Sequence, residues 1–285
     1  MRFVLLVQTL AVFGLALLAE TTAPAATYAS ELPVAVDFQT APEGIYGESQ
    51  AREDWPGLQW FALRERGTLV PAGATASQRS LRLFYPEGSV GPGQGGGQFR
   101  VNLPPRDEYF LSYDLQFEEG FDFRRGGKLP GLSGGRGNTG GNRPTGDGWS
   151  ARYMWGREGR LTIYLYHLDQ RGRYGDSLAT GVQLEAGRWY RLTQRIRVND
   201  PNQQNGLLQV WVDGTEVLFR NDLRYRNVAE AQVDIFYFST FHGGNSADWA
   251  PQRDSFARFA RFRIGTTKSA VVPNSAATAE IGAAN

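Results

Sequence analysis

Trp149-Ser-Ala-Arg-Tyr-Met-Trp155 and Leu161-Thr-Ile-Tyr-Leu-Tyr-His167 are two neighbouring runs in which apolar and polar residues alternate. A period of two is typical of a strand with one face in a core and the other face polar. Gly156 and Gly159, between the runs, are residues that favour a turn. We therefore expect the two runs to pair as an antiparallel hairpin.

The same alternation recurs on both sides of this hairpin, without a convincing amphipathic helix between the runs. Asp213-Gly214 separates two of the runs, and both residues accept positive φ, which predicts a tight hairpin turn. About ten strands without helices predict an all-β fold, a β-jelly roll sandwich of two antiparallel sheets that forms one domain over residues 31–266. The further runs cover residues 80–85, 98–103, 109–117, 189–198, 207–212, 215–219, 233–241 and 256–264.

Residues 126–148 interrupt the alternation with a segment rich in Gly, Asn, Pro and Thr. Glycine and proline are depleted in strands, so the composition predicts a long loop between two strands. Loops of this length often border a functional site.

The two ends of the chain differ in composition from the domain. Met1-Arg2 and the apolar run from Phe3 to Leu18 are typical of a signal peptide, which we place at residues 1–26, with an uncleaved anchor as the alternative. A signal peptide predicts a secreted protein, periplasmic or extracellular, without stable membrane association after cleavage. The small and polar residues 267–285 predict a disordered C-terminal tail.

The overall composition is that of a folded protein, with 41% hydrophobic and 21% charged residues in a chain of 285. The absence of cysteine excludes both a disulfide framework and thiol catalysis. A formal net charge of +1 gives no reason to expect a nucleic-acid partner, and we expect a monomer. Arginines are concentrated in the middle of the sequence, as at Arg188, Arg191 and Arg195, and indicate a local basic face.

Strand parity groups the polar side chains of the hairpin. Ser150 and Arg152 share a face of the first strand, and Tyr164 and Tyr166 share a face of the second. A solvated outer face would show the same pattern. The residue types, however, suit β-elimination beside a uronate carboxylate, which needs a cation on the carboxylate, a base for the neighbouring ring proton and an acid for the leaving oxygen.

The order and spacing of these residues resemble polysaccharide lyase family 14, whose members include alginate and glucuronan lyases with a β-jelly roll. Gly126-Gly-Lys-Leu-Pro-Gly-Leu132 resembles the lysine loop of that family, Gly148-Trp-Ser-Ala-Arg152 its serine and arginine strand, and Tyr164-Leu-Tyr166 its tyrosine strand. Tyr237-Phe-Ser-Thr-Phe-His-Gly-Gly244 with Trp249-Ala-Pro251 resembles a further recurrent segment. The resemblance covers most of residues 110–265.

This resemblance implies a catalytic group of five residues: Lys128, Ser150, Arg152, Tyr164 and Tyr166. Lys128 and Ser150 would lie at the catalytic centre, Arg152 would hold the carboxylate, and the tyrosines would bind substrate and exchange protons. Which residue is the base and which the acid stays open. Further candidates for substrate binding are His242, Trp249, Gln98 and Arg100. We expect an acidic polysaccharide as substrate, and neither a cofactor nor a metal.

Two other functions would fit an all-β fold with exposed aromatic residues. A jelly-roll glycoside hydrolase needs two carboxylates across the scissile bond, and no strand of this sequence carries such a pair. A non-catalytic carbohydrate-binding module for acidic glycans would use similar aromatic and arginine residues without cleaving the chain. Gly131-Leu-Ser-Gly-Gly135 matches the G-x-S-x-G motif of the nucleophile elbow of serine hydrolases. That elbow needs a helix after the serine, and no helical pattern follows here.

Overall fold

The alternating runs form the strands of two antiparallel sheets that face each other across an aromatic core. The structure is a computed structural model that describes residues 34–39, 41–72 and 78–272. The fold expected from the alternation is confirmed. The predicted signal peptide, residues 1–26, lies outside the described residues.

Sixteen strands are found in the described part of the chain. They are β1 (Val34–Val36), β2 (Gly44–Ile45), β3 (Leu58–Ala62), β4 (Gly67–Pro71), β5 (Arg79–Tyr85), β6 (Gly97–Arg106), β7 (Glu108–Phe117), β8 (Gly126–Gly135), β9 (Gly148–Gly156), β10 (Arg160–Tyr166), β11 (Asp176–Gln183), β12 (Trp189–Arg197), β13 (Gly206–Val212), β14 (Thr215–Leu223), β15 (Val233–His242) and β16 (Ser255–Gly265).

The larger sheet has nine strands in the order β14-β13-β12-β7-β16-β5-β4-β2, with β1 paired to β16. The smaller sheet has seven strands in the order β11-β10-β9-β8-β15-β6-β3. Asp213 and Gly214 both have positive φ between β13 and β14, as expected for the tight turn. The central strands of the smaller sheet therefore come from distant parts of the sequence.

Large aromatic side chains fill the space between the sheets. Trp55 stacks on Phe236 with ring centroids 5.1 Å apart, and Phe262 of the larger sheet meets both rings. Tyr113 stacks on Phe262 from the neighbouring strand. Burial of such rings removes a large apolar area from water, and this burial is the main force that holds the two sheets together.

Three short helices accompany the strands: α1 (Glu48–Asp54), α2 (Gly91–Gln94) and α3 (Lys268–Val271). Helix α3 corrects the expected disordered tail, because its Val271 is only 1% exposed and packs with Phe110 and Trp211 on the outer face of the larger sheet. The apolar contact orders the first residues after β16. Residues 273–285 lie outside the described residues. No helix in the described ranges is long and apolar enough to cross a membrane.

The arginines of β12 do not form the expected basic face. Arg191 Nε lies 2.9 Å from Asp114 Oδ1 on the adjacent strand, and Arg195 Nε lies 2.8 Å from Glu108 Oε1. Each of these two guanidinium groups thus has a carboxylate partner on the adjacent strand.

The segment expected to be a long loop is largely a strand. Residues 126–135 form β8, at the centre of the smaller sheet between β9 and β15, and only residues 136–147 connect it to β9. The composition was misleading because glycine is needed here for close packing. A Cβ on Gly131 would lie 2.2 Å from the carbonyl oxygen of Ala151, and one on Gly127 would lie 2.1 Å from the ring of Trp155.

A bulge in β8 changes the face to which its side chains point. Lys128 is opposite Met154, whereas Gly131 is opposite Arg152, so three steps on β8 match two steps on β9. Leu129 and Leu132 are both fully buried in the core as a result. The extra residue keeps Lys128 on the same face as Arg152.

We predict that Gly131→Ala destabilises the protein by about 2 kcal/mol or more, because the new methyl group collides with the backbone of β9. Gly93→Ala is the matched control, since nothing lies within 4 Å of its Cβ position. Urea denaturation of both variants measures the difference. Equal midpoints for the two variants would contradict this packing.

Candidate active site

The hairpin of β9 and β10 brings four predicted residues together. Arg152 is directly opposite Tyr164, and Ser150 is directly opposite Tyr166. Their neighbours in sequence, such as Tyr153 and Leu165, belong to the core. The face of the smaller sheet that carries Arg152 and Tyr164 is called the polar face below.

Lys128 joins this group from β8. Its Nζ lies 4.5 Å from the centre of the Tyr164 ring, and the Arg152 guanidinium lies 5.9 Å from the same ring. Tyr164 therefore lies between two cationic side chains. All five residues expected to be catalytic occur in one cluster of three adjacent strands.

The five residues lie at two depths. Ser150, Arg152 and Tyr166 are almost completely buried, with Arg152 2% exposed. Lys128 and Tyr164 are partly exposed. A ligand on the polar face would thus meet Lys128 and Tyr164 directly, while the other three residues act from beneath them.

Among the described residues, the buried cation of Arg152 has no carboxylate partner. Its Nη1 donates to Ser239 Oγ at 3.2 Å, and its guanidinium lies 5.3 Å from the centre of the Tyr237 ring. The groups whose charges favour its protonated form are all tyrosines, and its Nε has no hydrogen-bond partner in the described structure. Burial lowers the pKa of Arg152, but a guanidinium stays charged at neutral pH. Such a charge favours an anionic ligand.

The lysine of this cluster is partly deprotonated at pH 7. Burial and the adjacent charge of Arg152 lower the pKa of Lys128 from 10.5 to about 7. A lysine with this pKa has a free lone pair on a large fraction of molecules at neutral pH. Lys128 can therefore accept a proton.

The two tyrosines form a hydrogen-bonded pair, in which Tyr164 keeps its proton at neutral pH. The hydroxyl groups of Tyr164 and Tyr166 are 3.4 Å apart, and burial, followed by the contact with Tyr166, raises the pKa of Tyr164. The backbone N–H of Gly141 donates to the Tyr166 hydroxyl at 2.9 Å. Tyr164 is therefore a protonated group suited to give a proton rather than to take one.

Ser150 holds the loop above the buried tyrosine. Its hydroxyl donates to the carbonyl oxygen of Asn138 at 2.6 Å, at the start of the connection between β8 and β9. The same connection carries Gly141, whose N–H reaches Tyr166. Ser150 is thus a positioning residue here, because its side chain has no exposed surface.

Gln98 and Arg100 lie on the polar face beside the cluster. The amide of Gln98 donates to the Tyr237 hydroxyl at 2.7 Å and to Ser239 Oγ at 2.8 Å. Arg100 is directly opposite Tyr237 and is partly exposed. Tyr237 and Ser239, which contact Arg152, were not singled out from the sequence, although their period of two in β15 was a usable signal.

The structure corrects the expectation for His242 and does not bring Trp249 into the cluster. His242 is 1% exposed, stacks on Phe121 inside the core and bonds the carbonyl oxygen of Asp122 through Nε2 at 2.7 Å. His242 lies on the same face of β15 as the core residues of that strand. Its side chain therefore cannot contact a ligand on the polar face. Trp249 is partly exposed, and its ring lies 4.9 Å from the Arg125 guanidinium and against Gly244.

The described residues contain no group of three or more His, Asp or Glu side chains arranged to hold a metal ion.

A family model described as polysaccharide lyase 14 matches residues 73–262, which is more than half of the chain. The chain belongs to polysaccharide lyase family 14. It is a polysaccharide lyase, as the order of Lys128, Ser150, Arg152 and the two tyrosines indicated. No curated protein matches the sequence.

Solved structures agree with this family. The lyase is similar to alginate lyase Aly36B, at 28% identity over 82% of this chain and 97% of that chain, with a TM-score of 0.70. It is also similar to the marine PL-14 alginate lyase from Aplysia kurodai, at 25% identity over 82% and 98%, with a TM-score of 0.70. An endo-β-1,4-glucuronan lyase from the fungus Trichoderma reesei shares the fold, at 16% identity over 82% and 98%, with a TM-score of 0.54.

We predict that Lys128→Met makes the unfolding free energy of the lyase less dependent on pH. Between about pH 7 and pH 10.5 the unfolded chain binds a proton at Lys128 that the folded chain does not bind, so wild-type stability rises with pH. The slope from this group is at most about 1.4 kcal/mol per pH unit. Below pH 7 the folded lyase carries a buried ammonium, and the methionine variant has its largest stability advantage there.

Urea denaturation from pH 6 to pH 10 measures this difference. Lys268→Met is the matched control, because Lys268 is the other lysine of the chain and lies exposed on α3. Its stability curve should run parallel to that of the wild type. A parallel curve for Lys128→Met as well would mean that the pKa of Lys128 is not lowered.

Proposed function

We propose that the lyase is a secreted enzyme that cleaves a uronate polysaccharide of the alginate or glucuronan type by β-elimination. One observation carries this proposal: within the part of the chain that the structure describes, the buried charge of Arg152 on the polar face has no carboxylate partner. A uronate carboxylate above Arg152 would supply the missing counter-ion. Its neutralisation makes the ring proton beside the carboxylate more acidic.

Lys128 is the proposed base. Its pKa of about 7 leaves the amine free to take the proton from C5 of the uronate ring. The proton moves to Nζ, and the electron pair of the C5–H bond forms the C4–C5 double bond. Arg152 keeps Lys128 neutral before the reaction and stabilises the negative charge that develops on the carboxylate.

Tyr164 is the proposed acid. It is partly exposed, keeps its proton because its pKa is raised, and lies beside Lys128 and Arg152. As the C4–O4 bond breaks, its hydroxyl protonates O4 of the leaving sugar. The Tyr164 phenolate left behind accepts a hydrogen bond from the hydroxyl of Tyr166, which is held by the N–H of Gly141, and the proton on Lys128 Nζ then returns to Tyr164. The products are a new chain end and an unsaturated uronate.

The proposed substrate class and the proposed export of the lyase rest on different observations. Aly36B and the Aplysia kurodai enzyme are alginate lyases, and a variant of Aly36B binds an alginate tetrasaccharide. These relatives favour a uronate polymer as substrate. Export is proposed from the composition of residues 1–26, which have the charge and apolar run of a signal peptide.

We predict that the purified lyase raises ultraviolet absorbance in solutions of alginate or glucuronan, because elimination makes a double bond conjugated with the carboxylate. Lys128→Ala and Tyr164→Phe should each lower kcat by at least about 100-fold, since each removes a proton-transfer group. Lys268→Ala is the matched control and should keep full activity. A hydrolase would release reducing ends without absorbance, and this result would refute elimination.

We predict that kcat/KM of the wild type rises with pH through about pH 7, as Lys128 loses its proton. Arg152→Met removes the positive charge beside Lys128, which raises the pKa of that lysine. The rise of kcat/KM with pH, measured on the residual activity of this variant, should therefore occur at higher pH. Arg152→Lys keeps a charge and should move it less. A rate that falls as pH rises from 6 to 8 would exclude Lys128 as the base.

A further inference from the structure

Two loops meet beside the buried tyrosine at one side of the polar face. One is the connection of residues 136–147, and the other is residues 167–175 between β10 and β11. They touch at Gly141, where a Cβ would lie 3.0 Å from Arg173 Nε and 3.1 Å from the ring of Tyr174. These two loops are called the rim below.

The rim is held by specific hydrogen bonds. Arg143 donates to the carbonyl oxygen of Gln170 at 2.9 Å, which joins the two loops. The fully buried amide of Gln170 donates to the carbonyl oxygens of Gly172 and Arg173 at 3.0 and 3.2 Å. The backbone before Tyr174 is therefore fixed in a defined shape.

The rim is also joined directly to the catalytic cluster. Gly141 donates to the Tyr166 hydroxyl, and Gly175 packs so closely on the Tyr166 ring that a Cβ would lie 2.7 Å from it. Tyr174 is the residue before Gly175. A polysaccharide chain that occupies the site at Lys128 and Tyr164 and continues over Tyr166 would reach Tyr174 next.

Tyr174 is an aromatic side chain that the fold leaves in water. It is 58% exposed, the highest value among the aromatic residues of the described chain that stay exposed. The Arg173 guanidinium lies 5.7 Å from the centre of its ring. A flat ring beside a planar cation offers an apolar surface for a sugar ring and two donors for a carboxylate.

The local charges favour an anionic ligand at this point. Asp169 and Asp176 are the carboxylates nearest in sequence; Asp169 forms an ion pair with Arg224, and Asp176 forms a hydrogen bond with His167. Among the described residues, neither Arg171 nor Arg173 forms an ion pair, and both side chains are exposed. The exposed charge of the rim at this end is thus positive.

We propose that Tyr174 and Arg173 form a distal binding subsite for the same polyuronate chain, in which a sugar ring stacks on Tyr174 and its carboxylate binds Arg173. This inference rests on the proposed function and adds a specificity element to it. The subsite makes no contact with the reacting atoms. It favours chains that extend past Tyr166 over shorter chains that end before the rim.

Steady-state kinetics on polymer and on size-defined oligosaccharides tests the subsite. Tyr174→Ala should raise KM for the polymer about tenfold with kcat within twofold of the wild type, because one stacking contact is lost. Tyr174→Phe keeps the ring and should keep the wild-type KM. Arg173→Ala should raise KM for the polymer several-fold. For the shortest oligosaccharide that is cleaved, all variants should match the wild type.

Matched controls come from the other sheet. Phe219→Ala removes an aromatic side chain that is 46% exposed on β14, and Arg197→Ala removes an exposed arginine of β12. Both should leave KM unchanged. Calorimetry in the Lys128→Ala background gives the same comparison without turnover, and the affinity gained on lengthening the oligosaccharide should vanish in Lys128→Ala/Tyr174→Ala.

The outcomes separate this inference from the proposed function. If the wild type cleaves a polyuronate and Tyr174→Ala has the same KM and affinity as the wild type, the subsite is refuted while the proposed function stands. A fall in kcat at unchanged KM would also refute it, because the rim would then only support Tyr166. If the wild type neither cleaves nor binds any polyuronate, both proposals fail.

Discussion

The side chains of β9 alternate between an aromatic core and the polar face, and the active site depends on this alternation. Tyr153 and Trp155 must face inward to pack between the sheets, so Ser150 and Arg152 must face outward. The strand cannot shift by one residue without exposing its aromatic side chains and burying the guanidinium in the core. The same packing that stabilises the sandwich thus sets the position of Arg152.

Burial sets the protonation states of Lys128 and Tyr164. It lowers the pKa of Lys128, with a further contribution from the charge of Arg152, and it raises the pKa of Tyr164. Burial disfavours the charged form of each side chain, which is the protonated form of a lysine and the deprotonated form of a tyrosine, so the proposed base and the proposed acid can coexist at one pH. Ser239 and Tyr237 solvate the guanidinium in place of water.

Period-two patterning predicted the two sheets, the β9–β10 hairpin and the shared face of Arg152 and Tyr164. It could not predict β8, because glycine and proline are poor strand formers and only the tertiary contacts with β9 and β15 show why they are needed there. The place of Lys128 therefore depended on the family resemblance. Applied to β15, the same parity would have assigned His242 to the core and Tyr237 to the polar face.

The burial of each residue of the cluster could not be predicted from the sequence either. Alternation shows which face a side chain takes, but not that Ser150 and Tyr166 are covered by the connection between β8 and β9. This cover depends on the folded path of residues 136–147, which contain no regular pattern. Only the structure therefore shows that two members of the cluster are partly exposed and three are buried.

The bulge in β8 makes the orientation of Lys128 depend on how its strand is paired. Lys128 and Gly131 are three residues apart, so regular pairing with β9 would place them on opposite faces and turn Lys128 toward the aromatic core. Loss of the bulge with the sequence unchanged would therefore take the amine off the polar face, as a substitution of Lys128 would. The connection of residues 136–147 carries no such constraint, because it is not part of a strand.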